Sequence, residues 1–354
     1  MMTHIERLQS SLSEDTCALI DSEVNRRYFT GMKSSAGTLL VFKEKAYFII
    51  DFRYIEKARK TVSGCEVILQ GRLHTQLSEL IKRHDVKSVM IDSSVCTVEQ
   101  LGVLKEKLGT EIVSDSTLSK LISDLRIVKS QEELDKMIKA QRIAEEGLSH
   151  MFEFVRPGRT EKEIQLELDY YMLSHGAEAL SFDTIALSGA NTSLPHGVPS
   201  DKRVEQGDFV LLDFGAVVDG WHSDMTRTFC VGEPGDEMKQ VYEIVLQAQL
   251  AGIAAVRAGI SGKELDAVAR KIITDNGYGR CFGHSLGHGV GMEIHESPYA
   301  SPSVSDIINE GAVVTVEPGI YLEGKFGVRI EDFVIVTKDG CINMTEAPKE
   351  LICL

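Results

Sequence analysis

Beyond residue 150 the chain repeats itself, and this duplication constrains its fold more than any other feature. Val155-Arg-Pro-Gly-Arg-Thr-Glu-Lys-Glu-Ile164 matches Val256-Arg-Ala-Gly-Ile-Ser-Gly-Lys-Glu-Leu265, 101 residues later. Each copy has a loop glycine, then a Thr or Ser, then a Glu three residues on, which is the signature of a capped helix start. The two predicted helices end at Gly176 and Gly277, again 101 residues apart. Further on, Gln206-Gly-Asp-Phe-Val-Leu-Leu-Asp-Phe-Gly215 matches Glu310-Gly-Ala-Val-Val-Thr-Val-Glu-Pro-Gly319. In both, a turn glycine leads into an apolar strand that ends in a carboxylate, so Asp213 falls opposite Glu317. Two diverged copies packed about a pseudo-twofold axis would bring these strand ends together.

The rest of the chain is a separate region. A length of 354 residues exceeds what one core supports, since cores stop growing near roughly 250–300 residues. All 8 prolines lie at position 157 or later. Thr38–Phe42 and Ala46–Asp51 read as a hairpin, Glu66–Leu69 and Ser88–Ile91 as strands, and Leu73–Lys82 as a helix. We place a small α/β domain at 1–126 and a larger one at 127–354, the latter opened by a long helix that Ser130 and Glu133 cap.

A net charge of −15 repels phosphate backbones and argues against nucleic acid as the main partner. No apolar run approaches the roughly 20 residues of a membrane span. The 7 cysteines form no Cys-x-x-Cys pair and read as free thiols of a reducing compartment. With a polar Met1–Ser10 segment, the expectation is a soluble cytoplasmic protein.

Chemistry concentrates at the duplicated strand ends. A carboxylate at the end of a buried strand costs several kcal/mol unless it is paired or metal-bound. Here Asp213 and Glu317 are each followed by a second acid, Asp224 and Glu331, at 11 and 14 residues. That is enough chain for a hairpin that returns a neighbouring strand. Four converging acids repel one another without a cation. His284, His288 and His295 lie in one glycine-rich segment, and His196 lies in what we take to be the corresponding part of the first half. Oxygen-rich ligands with an imidazole suit Mn²⁺, Co²⁺ or Zn²⁺. Two such ions can deprotonate a bridging water and polarise a carbonyl or phosphoryl group, which is hydrolysis of an amide or a phosphate ester. Gly283-His-Ser-Leu-Gly287 fits the letters of a serine-nucleophile elbow, but the polar, glycine-containing segment before it is not the buried strand that such an elbow needs.

In these contexts Asp213, Asp224, His288, Glu317 and Glu331 resemble the ligand set of the pita-bread metallopeptidases. The family includes methionine aminopeptidase, aminopeptidase P and prolidase. The segments His-Ser-Leu-Gly-His-Gly-Val-Gly, Val-Glu-Pro-Gly-Ile-Tyr and Gly-Val-Arg-Ile-Glu-Asp are similar to its Xaa-Pro branch. Asn25-Arg-Arg-Tyr-Phe-Thr-Gly31 and Asp51-Phe-Arg-Tyr54 resemble, more weakly, the creatinase-type amino-terminal domain. The resemblance implies an α/β (α+β) protein with a pseudo-twofold pita-bread domain behind a smaller creatinase-like one. It implies two divalent ions, with manganese first, held by the five residues, Asp224 and Glu331 bridging. It makes Glu317 the general base, and His196 and His295 contacts to substrate and tetrahedral intermediate. Arg329 offsets the acidic cluster. His284 receives no catalytic role. The implied substrates are proline-containing peptides and the implied assembly is a homodimer.

Among activities, the resemblance points first to a Xaa-Pro aminopeptidase, because Tyr299 follows His295-Glu-Ser-Pro298 where some short prolidases carry an arginine. A Xaa-Pro dipeptidase is the alternative. A non-enzymatic binding relative is more distant, because such a protein would have lost ligands.

Overall fold

The computed structural model describes residues 2–354. The chain divides into two units, one ending at Arg126 and the other running Ile127–Leu354. No helix among the described residues is long and apolar enough to cross a membrane.

The first unit is one mixed sheet with helices. Its strands are β1 (Thr16–Ile20), β2 (Thr38–Val41), β3 (Ala46–Ile50), β4 (Glu66–Leu69), β5 (Ser88–Ile91) and β6 (Glu111–Val113). They are ordered β4-β3-β2-β1-β5-β6. The hairpin pairs β1–β2 and β2–β3 are antiparallel, and β3–β4, β1–β5 and β5–β6 are parallel. Six helices accompany them: α1 (His4–Ser10), α2 (Glu23–Thr30), α3 (Ile55–Thr61), α4 (Leu73–Arg83), α5 (Val98–Leu108) and α6 (Thr117–Ile127). Strands β2, β3 and β5 are buried along their whole length, as a sheet covered on both faces requires. Helix α4 buries Leu77, Leu80 and Ile81, one face of the apolar period in its sequence.

The second unit is built twice. Each half runs helix, helix, then three antiparallel strands. The first has α7 (Gln131–Phe154), α8 (Glu161–Ser174), β8 (Ile185–Ser188), β9 (Phe209–Phe214) and β12 (Met225–Cys230), with the short strands β7 (Ala179–Leu180), β10 (Ala216–Val218) and β11 (Trp221–His222) at its side. The second has α9 (Asp236–Ala255), α10 (Gly262–Asp275), β13 (Gly287–Gly289), β15 (Val313–Val316) and β18 (Asp332–Val336), with β14 (Glu296–Ala300), β16 (Gly319–Leu322), β17 (Phe326–Arg329) and β19 (Cys341–Asn343) completing it. The strand orders β12-β9-β8 and β13-β15-β18 mirror each other. The capping boxes are formed: Ser130, Thr160 and Ser261 each accept from the backbone of the Glu three residues on, and that Glu side chain accepts from the cap residue in return. Gly207 and Gly311, at φ +86° and +81°, make the turns that launch β9 and β15. Each half has its own core under its helix pair, with Leu148, Leu168, Leu212 and Phe229 in the first and Val245, Leu265, Val314 and Val334 in the second.

Strand register sets the correspondence between the two halves. Ile185 pairs with Asp213, while the Glu317 backbone N–H donates to the Leu286 carbonyl at 2.8 Å. Leu286 therefore stands where Ile185 stands, and His288 stands where Leu187 does. His196 lies in the loop beyond the 3₁₀ turn Gly189–Ser193 that follows β8, much as His295 lies in the segment that follows β13.

Candidate metal centre

The two middle strands deliver the acids. Asp213 is in β9 beside Thr226 of β12, and Phe214 pairs with Met225, so Asp224, two residues before Thr226, is on the same face as Asp213 and one step beyond it. In the second half Val316 pairs with Asp332, which sets Glu317 and Glu331 together just beyond the ends of β15 and β18. The intervening segments, 215–223 and 318–330, hold the short hairpins β10–β11 and β16–β17. Strand β13 adds His288, held in place at its own backbone by an N–H to Thr315 Oγ1 bond of 3.0 Å. The glycine-rich approach to β13 is fixed by Arg270, which pairs with Asp266 at 2.6 Å and donates to the carbonyls of Phe282 and His284. Gly287 is obligatory there, because a Cβ on it would sit 2.0 Å from the Thr315 carbonyl oxygen.

All five expected ligands, together with His196, His295 and Arg329, line one cavity of about 460 Å³. Ligand atoms of Asp224, His288 and Glu331 lie within 4.8 Å of one another. His288 Nε2 is 3.6 Å from Asp224 Oδ2 and 3.4 Å from Glu317 Oε1. Its Nδ1 donates to the Gly289 carbonyl at 3.0 Å, leaving the Nε2 lone pair towards the acids. Burial lowers the His288 pKa to about 4, so this imidazole is neutral at neutral pH. Burial first, and mutual repulsion second, push Asp224 and Glu331 well above the usual carboxylate range. Burial likewise pushes Glu317 up to about 8 against the opposing pull of Arg329.

The residues fit a pair of divalent ions. Buried carboxylates that raise one another's pKa want a cation in their midst. Asp213 Oδ1 is buried without a hydrogen-bond partner, an acceptor that nothing in the protein satisfies. Its other oxygen is held by Arg329. Four carboxylates and one imidazole are the donor set of a hard to borderline metal.

Arg329 is the hub of a hydrogen-bond network that sequence reasoning only partly anticipated. Besides Asp213, its guanidinium donates to Thr226 Oγ1 at 3.0 Å, the Tyr321 hydroxyl at 2.7 Å and the Pro195 carbonyl at 3.3 Å. It is therefore a positioning group, with its donors taken up by protein. Thr226 Oγ1 in turn donates to Glu331 at 2.7 Å, and Thr315 Oγ1 to Glu317 at 3.2 Å. Tyr321, unmarked in the sequence, bonds His284 Nε2 at 3.0 Å. Because His284 Nδ1 donates to the Ser285 carbonyl at 2.8 Å, Nε2 is the acceptor and the tyrosine the donor. His284 thus faces the cavity as a fixed neutral imidazole, its pKa lowered by burial to about 4. The rings of His288 and His295 lie 4.4 Å apart.

Known proteins resemble this chain along nearly its whole length. The Bacillus subtilis (strain 168) peptidase YqhT is 43% identical over 353 residues, covering 95% of each chain. A solved Xaa-Pro dipeptidase from Bacillus anthracis superimposes with a TM-score of 0.95 at 42% identity, covering 99% of both chains. A solved X-Pro aminopeptidase from Thermotoga maritima MSB8 does so with a TM-score of 0.92 at 35% identity, covering 98% of this chain and 100% of that one. The creatinase/prolidase amino-terminal domain pattern matches residues 4–128, and the pattern of metallopeptidase family M24 matches residues 135–338. The duplicated halves, the converging acids and this match along the catalytic unit agree: the chain is an enzyme of metallopeptidase family M24, the pita-bread metallopeptidases.

Proposed function

We propose that the protein hydrolyses the bond before proline at the amino terminus of peptides, as a Xaa-Pro aminopeptidase. The observation that carries the metal-dependent part is the gathering of Asp224, Glu317 and Glu331 around the free nitrogen of His288, with Asp213 Oδ1 left unsatisfied in the same cavity. The names of the B. anthracis and T. maritima relatives support the substrate class. Asp213, Asp224, His288, Glu317 and Glu331 would hold the ions. When bound, the ions lower the pKa of water and polarise the scissile carbonyl. Glu317 takes a proton from the attacking water and passes it to the leaving proline nitrogen. His196 and His295 line the cavity, where imidazole N–H groups would bind the substrate and the developing oxyanion. Arg329 orients Asp213.

The aminopeptidase reading rests on the cavity wall. Tyr299 lines it opposite His288 on the β13–β14 ladder, and Arg329, already bound to Asp213, is the only Lys or Arg among the lining residues. A dipeptide's free carboxylate therefore finds no cation within that wall. A second reading, Xaa-Pro dipeptidase, is favoured by the 42% identical B. anthracis enzyme and by a 37% identical Xaa-Pro dipeptidase from Pyrococcus furiosus. Matched Xaa-Pro and Xaa-Pro-Yaa substrates decide between them: release of Xaa from the tripeptide supports the first reading, and cleavage of the dipeptide alone supports the second.

The oxygen-rich donor set favours Mn²⁺ over Zn²⁺ or Co²⁺. Seven free thiols suit a cytoplasmic location. Exposed Leu166, Tyr170 and Leu173, on one side of α8, offer apolar surface for a homodimer. Restoration of a chelated sample by each metal in turn, and sedimentation of the full chain, test the metal and the assembly.

A further inference from the structure

Lys129 and Glu296 form an ion pair that the chemistry above does not use. Lys129 Nζ lies 2.7 Å from Glu296 Oε1, with the two side chains 0% and 8% exposed. Buried pairs are weak sources of stability, so what this one holds in place matters more than its strength. At one end, Lys129 donates its backbone N–H to the Gly311 carbonyl at 3.1 Å, in the turn that launches β15 and so leads to Glu317. At the other end, Glu296 is the residue after His295 and opens β14. Its Oε2 accepts from the Glu293 backbone at 3.4 Å, and a Cβ on Gly291 would lie 2.2 Å from its Oε1. The 291–296 loop is thus wrapped around the Glu296 carboxylate. The β13–β14 ladder slips here: His288 faces Tyr299, but Gly289 faces Glu296. Such a bulge re-aims side chains. In this case it brings the His295 ring to 4.4 Å from that of His288 and sets His295 in the cavity wall.

We propose that the Lys129–Glu296 pair is the positioning device that sets His295 against His288, and that it acts on turnover rather than on ion retention. This rests on the reading of His295 as a substrate-facing donor. Separating the pair would pull opposite charges apart in a dry setting, so the loop resists displacement where an ordinary surface loop would not. A shift of about 1 Å at a catalytic group is enough to cost on the order of 100-fold in rate.

The test uses the full metal-loaded enzyme with Lys129→Met/Glu296→Gln, His295→Ala and the triple variant. Each is followed by kcat, KM, bound metal by mass spectrometry and thermal melting. The pair variant removes both charges together. It is expected to lose at least tenfold in kcat with unchanged metal content, and to lose nothing further when His295 is already alanine. Glu296→Gln alone keeps a carbonyl acceptor for Lys129 and should lose less than the pair variant. Gly291→Ala crowds the carboxylate without touching the charges; should the pair variant fail to fold, Gly291→Ala should show the same loss, again absent in the His295→Ala background. An equal loss of kcat with and without His295, a fall in bound metal, or wild-type kcat in the pair variant would overturn the proposal. Wild-type kcat in His295→Ala would overturn it by a separate route, through its premise.

Discussion

Leu187 on β8 occupies the strand position that His288 occupies on β13. The duplication therefore delivers carboxylates symmetrically but nitrogen to one side only. His288→Ala should leave the Asp213 side of the cluster with its oxygen donors and deprive the other side of its only imidazole. The expected result is one retained ion per chain in place of two and at least a 100-fold fall in kcat. Metal stoichiometry after gel filtration checks it; two tightly held ions in the variant would contradict this assignment.

Without ions, the acid cluster should make the fold pH-sensitive in an unusual direction. Glu317 has its folded pKa at about 8 against an ordinary 4.5, and Asp224 and Glu331 are raised as well. Between those values the folded state holds more protons than the unfolded one, so stability is full below about pH 4.5 and is lost as pH rises towards about 8. The loss is on the order of a few kcal/mol. Melting of chelated protein should show Tm falling across this window, while protein loaded with Mn²⁺ should not show the fall. Asp224→Asn removes one of the repelling groups. It should raise the Tm of the chelated protein at pH 8 and abolish turnover.

Arg329 is buried among Asp213, Thr226, Tyr321 and the Pro195 carbonyl. Breaking a buried pair by removing one partner typically costs about 3–5 kcal/mol. Arg329→Met should destabilise the metal-free protein by an amount of that order. Lys at 329 cannot reproduce the planar fork of donors, so Arg329→Lys should recover only part of the loss. Urea unfolding of the three chelated proteins ranks them, and full recovery by lysine would reduce the arginine's role to charge alone.

Gly287→Ala should be far more harmful than its single methyl suggests. The added carbon would meet the Thr315 carbonyl at 2.0 Å, so β13 must move away from β15 and carry His288 with it. Activity should fall by more than tenfold while far-ultraviolet circular dichroism stays native. Unchanged kinetics would mean that the strand yields without displacing the imidazole.

Much of this architecture was legible in the residues. The capping boxes at Ser130, Thr160 and Ser261 act within a single helical turn, so their letters suffice. The turn glycines and apolar runs likewise located β9 and β15, and with them Asp213 and Glu317. What escaped depends on partners far apart in the chain. Which residue of the first half stands opposite His288 was not legible, because register is a property of the hydrogen-bond ladder, and similar motifs do not encode it. Tyr321 reads as an ordinary strand residue until Arg329 and His284 are placed beside it. Lys129 and Glu296 are separated by 167 residues, and neither carries a local mark of burial.

Because each half of the second unit supplies only part of the acid cluster, neither can line the cavity by itself. Catalytic competence is thus an audit of tertiary assembly: a nascent chain stays inert until its last strands, which bring Glu331, have closed against strands made more than a hundred residues earlier.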